Sequence, residues 1–103
     1  PSVRNLLLLY ATARQAFGDD FVWSVCAVGR YQIAMCNTAL ILGGNVRVGM
    51  EDALYAGKGV MAKSSADQVE KIIHIARELS IDIATPDEAR QILGLKGIDK
   101  VNY

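Results

Sequence analysis

The sequence has 103 residues, of which 51% are hydrophobic and 21% charged, with 11 Lys and Arg against 11 Asp and Glu. This charge balance gives no electrostatic reason to bind nucleic acid or an anionic membrane, so we expect neither partner. The longest apolar run, around Leu6 to Leu9, is far too short to span a bilayer. The composition is therefore typical of an ordinary soluble globular segment.

Helix and strand signals alternate along the chain. Ser2 is placed to cap the first helix, and Gly18 is placed to end it. The β-branched and aromatic run FVWSVCAV indicates a strand that is covered on both faces. The predicted elements are, in chain order, a helix over 3–17, a strand over 21–28, a helix over 31–42, a strand over 45–50, a helix over 65–79, a strand over 81–84 and a helix over 86–93.

The last two helices carry the strongest start signals. Ser65 and Gln68 form a capping-box pattern ahead of an apolar stripe at helical spacing. The run Thr85-Pro86-Asp87-Glu88 predicts a second capping box, with Thr85 as N-cap, Pro86 at the first helical position and Glu88 closing the box. Both helices are therefore expected to start where these residues lie.

Helices that alternate with buried strands predict an α/β layer architecture with parallel strands and crossover connections. Three parallel strands would leave both edges of the sheet open, whereas α/β domains use about five or more and a (β/α)8 barrel uses eight in ~250 residues. We therefore interpret residues 1–103 as one continuous piece, the C-terminal portion of a single larger domain.

The stretch GGNVRVGMED places charge in an otherwise apolar strand. Alternate side chains of a strand face opposite ways, so residues 46, 48 and 50 share the face under the helices. Asn45, Arg47, Gly49 and Glu51 share the other face, which would be the interior of a closed barrel. Glu51 and Asp52 fall at the C-terminal end of the strand, where parallel α/β folds build their active sites. Such charges need a partner, because an unpaired buried charge costs several kcal/mol.

A purely structural role is an open alternative. Arg47 and Glu51 could pair with each other as a structural ion pair, in a segment that has no catalytic role. A catalytic zinc site usually takes about three protein ligands, and this chain has no His-x-His or HExxH motif. His74, the one histidine, falls in the middle of the third predicted helix and is interpreted as a surface residue.

A second alternative is a different barrel enzyme, such as an aldolase or a phosphate-binding barrel. Lys58 and Lys63, with the helix that starts near Ser65, would then bind an anion at the helix N-terminus. The glycine-containing segments GGN and GKG match neither a dinucleotide fingerprint nor a P-loop, so they add little to this reading.

The two cysteines give no disulfide or metal pattern. Cys26 and Cys36 are ten residues apart in the sequence, which fits neither a CxxC redox motif nor a zinc-finger pair. We interpret them as two buried thiols in a reducing compartment, and we expect a cytoplasmic protein.

The second half of the chain resembles a known family. GGNVRVGMEDALY, followed by KGVMAKSSADQVEKIIHIARELSIDIATPDEARQILGL, is similar to the C-terminal part of the β-keto acid cleavage enzymes, such as the 3-keto-5-aminohexanoate cleavage enzyme. The upstream WSVCAVGRYQ resembles the preceding strand and loop of the family. The resemblance covers nearly all of the chain.

The resemblance implies that this piece supplies strands six to eight of a TIM (β/α)8 barrel, with a divalent metal, usually zinc, at the barrel mouth. In the family, a β-keto acid reacts with acetyl-CoA and fragments to acetoacetate and a new acyl-CoA, a retro-Claisen type acyl transfer. Family likeness also implies a homo-oligomer, by analogy a tetramer.

The resemblance also implies roles for individual residues. Glu51 matches the glutamate that joins a His-x-His pair from an early strand as metal ligand. Asp52 matches the general base, and Arg47 matches the residue that activates it, since an adjacent guanidinium favours the ionised carboxylate. Two positions depart from the family pattern. Ala53 stands where asparagine is common, and Met50 replaces a common leucine, a change that conserves volume.

Overall fold

The computed structural model describes residues 2–57 and 59–95. Within these ranges lie helices α1 (Val3–Phe17), α2 (Gln32–Ile41), α3 (Ser65–Glu78) and α4 (Pro86–Leu93), and strands β1 (Ser24–Val25), β2 (Asn45–Val46), β3 (Tyr55–Gly57) and β4 (Val60–Met61). A 3-10 turn over Gly29–Tyr31 leads into α2. None of the helices in these ranges combines the length and the apolar character needed to cross a membrane.

The bounds of α1 and α4 confirm the predicted signals. The Ser2 hydroxyl accepts a hydrogen bond of 3.1 Å from the main-chain N–H three residues on, and Gly18 ends α1 at a φ of 65°. Thr85 and Glu88 form both bonds of the capping box, and Gly94 ends α4 at a φ of 67°. Glycine suits both helix ends because it adopts positive φ without the steric penalty of a Cβ atom.

The predicted cap of α3 is wrong by one residue. Ser64 is the N-cap, and its Oγ accepts a hydrogen bond of 3.2 Å from the Asp67 N–H. Ser65 is instead the first helical residue, and its Oγ accepts a hydrogen bond of 3.1 Å from the Met50 N–H. Gln68, predicted to close the box, is fully buried. Two consecutive serines satisfy the sequence pattern equally well, and only the backbone conformation decides which one caps the helix.

Strands β1 and β2 are much shorter than the predicted strands 21–28 and 45–50. They pair in parallel, with Ser24 opposite Asn45. The ladder includes bonds from the Asn45 N–H to Trp23 O at 3.0 Å and from the Arg47 N–H to Val25 O at 2.9 Å. Helix α2 connects the two strands, so the described residues confirm one parallel β1–α2–β2 unit. A strand requires partners along its whole length, and the segment 21–28 is paired only at its centre and the segment 45–50 only at its start.

Residues 81–84, predicted as a third parallel strand, do not form one in the described part of the chain. The chain leaves α3 through Ser80, which has a φ of 58°, and no described strand lies beside the segment. The predicted loop after β2 holds instead an antiparallel hairpin, in which β3 pairs with β4 and Tyr55 lies opposite Met61. Closure of a (β/α)8 barrel therefore stays a prediction.

The core lies on one face of the β1–β2 pair. One cluster is formed between α1, α2 and β1 by Leu6, Val25, Ala27, Met35 and Ala39. A second is formed between α2 and α3 by Cys36, Leu40, Ile72 and Ala76. Val46 packs against both clusters and Val48 against the second. The predicted division into an apolar face and a charged face is therefore confirmed for Val46 and Val48 against Arg47, which is exposed on the side away from the helices. It does not extend to Met50 and Glu51, which lie in a turn beyond the strand.

Candidate active site

The charged residues of the second predicted strand meet just beyond its end. Arg47 lies one residue after β2, and Glu51 and Asp52 lie in a tight turn, here called the acid turn (residues 49–53). Arg47 Nη2 is 3.3 Å from Glu51 Oε2 and 3.4 Å from Asp52 Oδ1. Arg47 Nε is 3.3 Å from Asp52 Oδ2. One planar guanidinium therefore bridges both carboxylates, which a lysine ammonium would not do with the same geometry.

The two carboxylates differ strongly in exposure. The Glu51 side chain is 85% exposed and the Asp52 side chain only 13% exposed. Glu51 is exposed in the described residues because all of the helices that pack on β2 lie on its other face, so its position in the interior of a closed barrel stays a prediction. The exposed Arg47–Glu51 pair contributes at most about 1 kcal/mol to stability, because water screens it. Stability is thus a weak reason for the Arg47–Glu51 pair.

The less exposed carboxylate keeps one oxygen available. Asp52 Oδ2 is buried and has no hydrogen-bond partner, since its 3.3 Å approach to Arg47 Nε lacks hydrogen-bond alignment. A buried acceptor atom that is left unpaired is uncommon in folded proteins and calls for an explanation, of which a catalytic role is one. This oxygen has the free lone pairs that proton abstraction requires.

Hydrogen bonds hold the backbone of the acid turn. The N–H groups of Asp52 and Ala53 both donate to Gly49 O at 3.2 Å. The Gly29 N–H, beyond β1, donates to Asp52 O at 2.8 Å, which ties the ends of the two strand segments together. The Ser65 hydroxyl accepts a hydrogen bond from the Met50 N–H, as described above. The charged side chains thus lie on a turn that is hydrogen-bonded to neighbouring segments of the chain.

Two buried glutamines complete this support. Gln32 Nε2 donates to Gly49 O at 3.1 Å, and Gln68 Nε2 donates to Ala53 O at 2.7 Å. Sequence reasoning missed the role of both residues, since Gln32 was not singled out and Gln68 was assigned to a helix cap. The available signal was a polar residue at a core position of each helical stripe.

Cys26 also lies at this site, which sequence reasoning missed. The prediction of two buried thiols is confirmed for Cys36 and wrong for Cys26, which is exposed. Desolvation, with a hydrogen bond to Asp52 and the negative charge of that carboxylate, raises the pKa of the Cys26 thiol. Burial raises the pKa of Cys36 to about 11. Alternation along the extended segment explains the difference, because residues 25 and 27 face the core.

The described residues supply part of a metal site at most. Across residues 2–57 and 59–95, no three His, Cys, Asp or Glu side chains group in a way that could hold a metal ion. The solvent-facing carboxylate of Glu51 fits the role of one ligand, because carboxylate oxygens bind zinc and this group is accessible. His74 does not take part, since it lies on α3 with its side chain 75% exposed and 3.8 Å from Glu78, which confirms its interpretation as a surface residue.

The anion-binding alternative finds limited support. Lys58 lies outside the described residues. The N-terminus of α3 is already occupied by the protein's own acceptors, because Ser64 Oγ binds the Asp67 N–H and Asp67 Oδ2 accepts a 2.8 Å bond from the Lys63 N–H. A phosphate bound there would have to displace these bonds.

Comparisons with known proteins identify what the chain is similar to. A profile described as beta-keto acid cleavage enzyme matches residues 1–95. A 3-keto-5-aminohexanoate cleavage enzyme from Fusobacterium nucleatum subsp. nucleatum is 45% identical over 95 residues, which is 92% of this chain and 34% of the relative. A 3,5-dioxohexanoate:acetyl-CoA acetone transferase from Paraburkholderia graminis is 48% identical over 99 residues, 96% of this chain and 32% of the relative.

A further relative, a 3-keto-5-aminohexanoate cleavage enzyme from Acetoanaerobium sticklandii, is 51% identical over 73 residues, 71% of this chain and 27% of the relative. The chain thus spans about a third of the length of the curated relatives it matches. The similarity extends over both the β1–α2–β2 unit and the acid turn.

Proposed function

The chain belongs to the beta-keto acid cleavage enzyme family, and from this premise we propose that the protein is an enzyme that exchanges a β-keto acid with acetyl-CoA. The products would be acetoacetate and a new acyl-CoA, in a retro-Claisen type acyl transfer. Two relatives are named for cleavage of a keto acid and for transfer involving acetyl-CoA, which supports both halves of the proposal.

The observation that carries the proposal is the arrangement of Arg47 between two carboxylates of unequal exposure. Asp52 is the proposed general base, because its Oδ2 has no hydrogen-bond partner and its carboxylate is partly exposed, so that a lone pair can accept a proton from a substrate placed against it. Arg47 is proposed to orient this carboxylate and balance its charge through its contacts of 3.3 and 3.4 Å.

Glu51 is the proposed metal ligand. Its exposed carboxylate would supply one ligand of a site whose other ligands come from residues outside this chain, as the family resemblance implies. A bound divalent metal, proposed to be zinc, would polarise the keto-acid carbonyl and stabilise developing enolate charge. The unequal exposure of the two carboxylates, 85% for Glu51 and 13% for Asp52, supports giving them different tasks.

The proposed fold is the C-terminal three βα units of a TIM (β/α)8 barrel, in which the exposed charged face of β2 turns toward the barrel interior. The β1–α2–β2 unit supports this proposal, because a barrel repeats such parallel units with helices on the outer side. From the family resemblance we further propose a homo-oligomer, a tetramer, in the cytoplasm.

Kinetics of the protein at its full natural length test the proposal. Asp52→Asn keeps the size of the side chain and removes the base, so turnover of a β-keto acid with acetyl-CoA should fall by about 100-fold or more while the circular dichroism spectrum is unchanged. Asp87→Asn is the matched control, because Asp87 pairs with Arg90 at 2.6 Å on the exposed face of α4. Full activity of the Asp52 variant would contradict the proposal.

A structural role for the ion pairs is the second candidate. It is favoured by the Arg47 contacts themselves, which would hold the acid turn to the end of β2 without any reaction. This candidate predicts that Asp52→Asn lowers the free energy of unfolding and leaves turnover untouched, which is the reverse of the pattern expected for a base.

A further inference from the structure

The acid turn is hydrogen-bonded at both ends by side-chain amides from two different helices. Gln32 in α2 is 1% exposed and donates to Gly49 O, and Gln68 in α3 is 0% exposed and donates to Ala53 O. The two accepting carbonyls bracket the residues that carry the carboxylates. Each bond joins a helix of the core to one end of the same short turn.

These amides are poor choices for packing alone. Burying an amide costs free energy unless its polar atoms are paired, and in both residues the Oε1 atom is buried without a hydrogen-bond partner. A methionine of similar length would fill either position without that cost. Methionine lacks both polar groups of glutamine, and of these only the Nε2 donor is used here, so the bond to the turn is what these positions provide.

The orientation of each amide is chemically determined. A main-chain carbonyl accepts and never donates, so only the NH2 end of a glutamine can bind Gly49 O or Ala53 O. The Gly29 N–H holds the Asp52 carbonyl from a third direction at 2.8 Å. With both ends and this carbonyl fixed, the position of the Asp52 carboxylate depends on the helices α2 and α3.

We propose that Gln32 and Gln68 are positioning residues that hold the acid turn in the geometry required for proton transfer by Asp52. The inference rests on the proposed function and adds two residues that act through the turn without touching substrate. Small displacements of a reacting group have large effects, since a shift of about 1 Å can lower a rate by about 100-fold.

The test compares Gln32→Met and Gln68→Met with Gln91→Met in the protein at its full natural length. Gln91 lies exposed on α4 and is the matched control. Hydrogen–deuterium exchange read by mass spectrometry reports on the peptide that contains residues 49–53, independently of activity. Steady-state kinetics with a β-keto acid and acetyl-CoA give kcat and KM separately.

The expected result is faster exchange of the acid-turn peptide with unchanged exchange of α4, together with a fall in kcat of about tenfold or more at nearly constant KM. Gln91→Met should change neither quantity. Substrate binding is retained in this account because the glutamines do not contact substrate, whereas the base is displaced.

Three results would overturn the inference. Unchanged exchange of the acid turn would show that the amides do not hold it. Faster exchange across the whole protein, α4 included, would show that they serve general stability. Faster exchange of the turn with unchanged kcat would show that its position is unimportant, and if Asp52→Asn still abolished turnover, the proposed function would survive this failure.

Discussion

Gly44→Ala tests whether the end of α2 and the start of β2, the strand that leads to Arg47, are packed as described. A Cβ atom at this position would lie 2.7, 2.7 and 2.8 Å from three ring atoms of Trp23. Ordinary carbon contacts are about 3.5–4.0 Å, so the indole ring would have to move by about 1 Å.

The ring has little room to yield. Tyr10 packs against Trp23 with ring centroids 4.9 Å apart, and the carbonyl of Trp23 accepts bonds from the Asn45 main-chain N–H and side-chain amide, both at 3.0 Å. Overpacking of this kind costs about 1–3 kcal/mol, and we expect a loss of unfolding free energy in that range.

Urea unfolding of the full-length protein, followed by tryptophan fluorescence, measures this loss. Gly49→Ala is the matched control for stability, because a Cβ there meets only Ser65 Oγ at 3.6 Å, an ordinary contact. A Gly44 variant as stable as the Gly49 variant would refute the packing described for Trp23.

Three further predictions concern individual groups. Iodoacetamide should modify Cys26 and spare Cys36 in the native protein, because Cys36 is 0% exposed; peptide mapping with equal labelling of both would contradict this. Arg47→Lys should lower kcat by about tenfold, because a single ammonium group does not contact Glu51 and Asp52 with the geometry of the planar guanidinium. Arg90→Lys is the control and should leave kcat unchanged. Hydrogen bonds from the Thr85 main-chain N–H and hydroxyl lower the pKa of Glu88, so its stabilising contribution is present above the ordinary glutamate pKa and is lost as pH falls through the lowered value. Chemical denaturation should therefore show wild type more stable than Glu88→Gln at neutral pH, with the difference vanishing in acid, and a difference that grew in acid would contradict the sign.

Local signals predicted the helices well because their causes are local. The hydroxyl of Ser2 or Thr85 accepts a hydrogen bond from a free N–H group three residues on. The glycines at positions 18 and 94 adopt the positive φ that ends each helix without the steric penalty of a Cβ atom. The start of α3 is the exception, because the adjacent hydroxyls of Ser64 and Ser65 both match the N-cap pattern. Ser64 caps the helix, whereas the Ser65 hydroxyl accepts a hydrogen bond from the Met50 N–H.

Strands were harder to predict because their partners are distant in sequence. The run 21–28 has the composition of a buried strand along its whole length, yet only two residues pair with β2 in the described ranges. The β3–β4 hairpin was missed because its short strands carry little apolar alternation.

The candidate site was partly visible in the sequence. Strand alternation predicted that Arg47 lies on the face away from Val46 and Val48. The location of Glu51 and Asp52 at the end of the same strand predicted that they lie near Arg47. Tertiary contacts decided the rest. The approach of Cys26 to Asp52 and the bonds from the buried glutamines each join residues from different elements, which no local pattern specifies.

The most direct test of the account separates the two carboxylates by measuring bound metal and turnover in the same preparations. After dialysis against buffer with trace zinc, Glu51→Gln should have lost most of its metal, measured by inductively coupled plasma mass spectrometry, and its activity. Asp52→Asn should keep the metal and lose only turnover. Glu78→Gln, on the exposed face of α3, is the control and should match wild type. Full metal content in Glu51→Gln, or full turnover in Asp52→Asn, would contradict the division of roles proposed for the acid turn.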